Sequence, residues 1–124
     1  MWVSSNPNPK HRIVPDCVIR AICNVLHLSW YEVFDQLSAL ARTECSVTCD
    51  DKLWGRFFYQ MGFVPFTVPK DFPRCITVKE FCDLFPHGRY VIGTGTHAVA
   101  VIDGDYYDSW DSGNVCCSFF WKVS

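Results

Sequence analysis

His97-Ala-Val-Ala-Val-Ile-Asp-Gly-Asp-Tyr-Tyr-Asp-Ser-Trp110 is the stretch that decides the fold. Two apolar runs flank Asp103-Gly104. Asp-Gly is the strongest short signal for a two-residue hairpin, because a type I′ turn needs positive φ at both central residues. With the turn placed there, Ile102 faces Asp105, Val101 faces Tyr106, Val99 faces Asp108 and His97 faces Trp110. Side chains alternate along a strand, so His97, Val99, Val101, Tyr106, Asp108 and Trp110 share one sheet face. His97 and Asp108 are then diagonal neighbours, roughly 7–8 Å apart at the backbone, within reach of a His–carboxylate hydrogen bond. A three-residue loop would shift the register by one and bring Asp111 opposite His97, so Asp111 is the rival carboxylate.

Around this hairpin the second half of the chain reads as sheet. Arg89–Gly93 and Val115–Val123 are strands, and Phe63–Val68 is a short strand interrupted by Pro65. Thr77–Phe85 reads as a short helix, with Thr77 as N-cap and Glu80 completing a capping box. The first half reads as helices. Asp16 precedes a helix over Cys17–His27, with Val18, Ile19, Ile22, Val25 and Leu26 at helical spacing. Ser29 caps a second helix, with Glu32 three residues on. A third follows Asp50 and stops at Gly62. Residues 1–15, with prolines at 7, 9 and 15, form an extended lead-in. Helices first and an antiparallel sheet afterwards give an α+β domain over 1–124, with the helices on one face of the sheet.

Composition narrows the function. A hydrophobic fraction of 49% in 124 residues excludes a disordered chain. No apolar run approaches the ~20 residues of a membrane-spanning helix. A net charge of −2 offers no basic footprint, so neither nucleic acid nor a membrane surface is an expected partner. The N-terminus lacks a basic and then apolar leader, so the eight cysteines are expected to be reduced in a cytoplasmic protein. Their spacings hold no C-x-x-C, so no metal is expected.

One cysteine stands apart. Cys17 opens the first helix, where free N–H groups and the positive dipole end favour a thiolate. Its own N–H points out of the helix start and can donate to an oxyanion. Asp16 beside it opposes the thiolate unless its carboxylate is occupied in capping. A helix-borne thiol, a strand-borne His97 and a strand-borne Asp108 make a nucleophile, a base and an orienter. Trp110 would shield the His–Asp bond. Arg20, one turn after Cys17, either lines the cleft or belongs to the solvated face of the helix. Gly93-Thr-Gly-Thr96 reads as a flexible edge of the cleft.

These residues carry a resemblance. Asp16-Cys17 opening a helix, then Thr96-His97-Ala98-Val99, then Asp108-Ser109-Trp110, in that order, resembles the papain-like cysteine peptidase superfamily, including its C39-like and NlpC/P60-like branches. The compact format also resembles small papain-like proteins of phages and gut bacteria. The resemblance implies a papain-like fold and a cysteine-dependent hydrolase acting on a peptide or protein substrate, with Cys17, His97 and Asp108 as triad and no cofactor. Where the family carries its oxyanion glutamine, this chain has His11, and no Gln precedes Cys17. His11, Asn8 or Arg12 would have to substitute. Two alternatives stay open: a catalytically weak or inactive module of the same fold that binds a partner, and an acyltransferase using the same residues. The sequence is silent on oligomeric state.

Overall fold

A computed structural model describes residues 1–68 and 74–124. The order of elements is β1 (Trp2–Ser4), α1 (Cys17–Leu26), α2 (Trp30–Glu44), α3 (Asp51–Gln60), β2 (Val64–Thr67), α4 (Val78–Leu84), β3 (Arg89–Gly93), β4 (Ala98–Ile102), β5 (Asp105–Asp108) and β6 (Phe119–Lys122). The six strands form one sheet, β1-β5-β4-β3-β6-β2, in which only β1 and β5 run parallel. The class is therefore α+β.

The Asp103-Gly104 hairpin forms as its residues dictate. Asp103 and Gly104 both have positive φ, 48° and 80°. Ile102 pairs with Asp105 and Val101 with Tyr106. The ladder ends one pair later, at Ala100 and Tyr107. The expected pairs Val99–Asp108 and His97–Trp110 fall outside it, and Asp108 is paired instead on its other side, with β1. Ser4 is its partner there, and its carbonyl accepts from Ser5 N–H at 2.9 Å and Trp2 Nε1 at 3.1 Å. The lead-in is thus part strand, tied to the edge that carries Asp108.

The caps are local and form as expected. Ser29 Oγ accepts from Glu32 N–H, Asp50 from Lys52 N–H and Thr77 from Glu80 N–H. Asp16 is the exception: its carboxylate makes no capping bond and is drawn to Arg20, Asn8 and Trp30 instead.

Alternation along the strands builds two cores. Val91, Ala98, Ala100 and Trp121 pack with Ile19, Ile22, Val33 and Phe58 of the first three helices. Ala98 and Ala100 are small, so α1 can lie close to β4. Tyr90, Ile92, Val99, Val101 and Tyr106 point the other way and pack with Val78, Phe81 and Cys82 of α4. The helices therefore cover both faces of the sheet, not one. The helical period predicts an apolar stripe on α4 but cannot say which face the stripe meets.

Cys75 and Cys116 are joined in a disulfide with Cα atoms 5.5 Å apart, which corrects the expectation of eight reduced cysteines. The other six are free. No helix among the described residues is long and apolar enough to cross a membrane.

Candidate active site

The first turn of α1 presents Cys17, half-buried, with a backbone N–H that has no acceptor within the helix. The turn before β4 presents His97. That turn is tight: Thr94 N–H and Oγ1 both donate to the His97 carbonyl, at 2.9 and 3.2 Å, and Gly95 takes φ 96°. Gly93 before it is covered by the Phe119 ring, which a Cβ would meet at 2.1 Å. The stretch expected to be a flexible edge of the cleft forms this turn, with Gly95 and Thr96 exposed. The end of β5 presents Asp108, 3% exposed.

These three side chains converge. His97 Nε2 and Asp108 Oδ2 are 2.6 Å apart. Nε2 being engaged, Nδ1 is the ring nitrogen left for the thiol, and Cys17 interacts with the His97 ring and the Ala98 backbone N–H. The Trp110 ring lies 4.9 Å from the His97 ring, centroid to centroid, and is itself 46% exposed. Asp111 is not the orienter. Its Oδ1 accepts from Tyr106 Oη and from Gly113 N–H.

Electrostatics favour an ion pair. Burial pushes the Cys17 thiol up, but the His97 ring, the Ala98 N–H and the Arg20 charge outweigh it and hold the thiol below its ordinary value. Burial pushes His97 down, yet its bonds to Asp108 and Cys17 and their negative charge carry it up to about 9. Burial raises Asp108, but His97, Ser112 and the Ser109 N–H keep it below the usual carboxylate range. The other buried thiols move the opposite way to Cys17: burial carries Cys23 and Cys82 up to about 11 and Cys117 up to about 12.

Arg20 is 8% exposed and bonded to Asp16 and Asp108, so it does not belong to a solvated helix face. Its neighbours Val18, Ile19, Ala21, Ile22 and Cys23 are all buried. Ser112, fully buried, donates to Asp108 Oδ2 at 2.7 Å, and nothing in its sequence context marks it.

The expected oxyanion side chains stand elsewhere. His11 is exposed on the lead-in with φ 52°, and its backbone N–H donates to the Asn8 carbonyl at 2.9 Å. Arg12 is exposed as well. Asn8 is buried, and its amide donates to Asp16 Oδ2 at 3.3 Å. A groove of about 250 Å³ lies between residues 8–14 of the lead-in and Trp30 and Tyr31 of α2. From its wall, Asn8 and Trp30 reach Asp16, the residue before the thiol. Among the described residues no three His, Cys, Asp or Glu side chains are grouped to hold a metal ion.

Comparison with protein-family models, curated proteins and solved structures finds no match to this chain.

Proposed function

We propose that this chain is a cysteine-dependent hydrolase of a peptide or amide bond, acting as the papain-like peptidases it resembles. The observation that carries the reading is the convergence of Cys17, His97 and Asp108 from α1, the turn before β4 and the end of β5, with Asp108 bonded to His97 Nε2, which leaves Nδ1 for the thiol. The Cys17 thiolate attacks the carbonyl carbon, and the Cys17 N–H donates to the oxyanion. The C–N bond breaks as the His97 imidazolium gives its proton to the leaving amine. His97 then takes a proton from water, which attacks the thioester. Breaking of the C–S bond releases the acid and restores the ion pair. Asp108 holds the ring in the working tautomer throughout.

The position of the lead-in side chains favours a second reading. Asn8 is turned to Asp16, and His11 and Arg12 are exposed, which disfavours each of the three as the oxyanion helper. On this reading the domain binds a partner and the triad is vestigial.

Labelling with an epoxide-type inhibitor of papain-like enzymes at pH 6, followed by intact mass and peptide mapping, separates the two. Hydrolase chemistry expects one adduct, on Cys17, lost in His97→Ala. Folded, reduced protein with no adduct overturns the hydrolase reading in favour of the binding module.

A further inference from the structure

Asp108 divides its two oxygens between two groups. Oδ2 accepts from His97 Nε2 at 2.6 Å and Ser112 Oγ at 2.7 Å. Oδ1 accepts from Arg20 Nη1 at 2.9 Å and Ser109 N–H at 2.8 Å. Arg20 turns its Nε to Asp16 Oδ1 at 2.8 Å, and its Nη1 also reaches Ser109 Oγ at 2.8 Å. One guanidinium thus lies between two buried carboxylates: one precedes the nucleophile, the other orients the base.

The cation answers first to the two carboxylates. A buried ion pair as a whole gains little over apolar side chains of similar volume, but loss of Arg20 alone would leave Asp16 and Asp108 buried without a counter-charge. The geometry gives the cation a second task. A carboxylate 2.6 Å from His97, with no counter-charge, would hold the imidazolium proton more tightly than transfer to a leaving amine requires. The charged and titratable groups acting on His97 are Asp108 from β5 and Cys17 from α1, with Arg20 and Asp16 behind them.

We propose that Arg20 is a positioning residue that balances the charge of Asp108, so that Asp108 orients His97 without trapping its proton. The role rests on the reading of Cys17, His97 and Asp108 as a hydrolytic triad. The same guanidinium fixes the start of α1 against the end of β5 through Asp16, which keeps thiol and imidazole in register.

The test is an NMR titration of the His97 ring in the full chain carrying Cys17→Ala, where the thiol no longer acts on it. Charge balance expects Arg20→Gln to raise the His97 pKa by about one unit, a tenfold tighter hold on the proton. A merely structural role expects the reverse: Asp108 loosens and His97 falls toward 6.5, its ordinary value. An unmoved or lowered value overturns the proposal. The second measurement is epoxide labelling of Cys17 in the otherwise unaltered chain, which reads the triad independently of Arg20. A wild-type Cys17 that resists labelling overturns the hydrolase reading itself. A labelled wild type with an unmoved His97 in Arg20→Gln overturns only the role of Arg20.

Discussion

Asp108 and Asp111 lie three residues apart, and their bonds assign them different work. Asp108 receives His97, Arg20, Ser109 and Ser112, whereas Asp111 receives Tyr106 and Gly113. Asp108→Ala is therefore expected to slow epoxide labelling of Cys17 on the order of 10²-fold, the usual weight of a positioned acid–base group. Asp111→Ala is expected to leave it within about threefold. Equal losses in both would place the orienter elsewhere. His97 also links the site to stability. A group raised in the folded state, here to about 9 from 6.5, contributes stability that is complete below pH 6.5 and lost as pH rises through 9. Cys17, lowered in the folded state, has the opposite sign: its contribution is present above its ordinary value of 9 and lost as pH falls through the folded one. The two slopes oppose each other in the wild type where these windows overlap. Cys17→Ala removes one of them and also part of what raises His97. Urea titrations should then show the excess stability of Cys17→Ala over Cys17→Ala/His97→Ala declining from pH 6.5 toward 9, with the decline complete before 9.

The turn between β3 and β4 is the element that aims His97, and Gly93 is its fixed point. A methyl group there would enter the Phe119 ring, so Gly93→Ala must displace Phe119 or bend the end of β3. Overpacking of this kind costs about 1–3 kcal/mol, measurable as a lower urea midpoint, and slower Cys17 labelling should accompany it. Thr77→Ala, which removes a cap from α4, should cost about 1 kcal/mol and leave labelling of Cys17 unchanged. What could be read beforehand follows the range of each interaction. The hairpin register and the Ser29, Asp50 and Thr77 caps lie within a few residues of chain, and all are legible. From the hairpin alone came the meeting of His97 with Asp108. The pairing of Trp2 with Tyr106 spans most of the chain without a turn to announce it, so the sequence shows β1 only as lead-in. The burial of Arg20 is hidden in the sequence for a related reason. Its i, i+4 spacing from Asp16 was visible, but its burial is set by β5, which is remote in sequence.

At the scale of the molecule, the site joins what two cores hold. Cys17 belongs to the helices on one face of the sheet, while the segment carrying Ser112 is fastened to α4 on the other. Val78 N–H reaches Val115 O at 3.0 Å, Lys79 N–H reaches Gly113 O at 3.0 Å, and Cys117 N–H reaches Ile76 O at 2.8 Å. The Cys75–Cys116 disulfide closes the same junction across a sequence separation of 41. A crosslink of that span restricts the unfolded chain, and the loop-closure relation gives about 4 kcal/mol. The oxidised, denatured protein should therefore show six reactive thiols, matching its six free cysteines. Cys75→Ser/Cys116→Ser should unfold in urea with about 4 kcal/mol less stability. Ser112 is carried by the fastened segment, so the variant should also label more slowly at Cys17. Eight reactive thiols in the denatured protein, with an unchanged midpoint in the variant, would mean that backbone hydrogen bonds and the α4 core hold the junction without the crosslink.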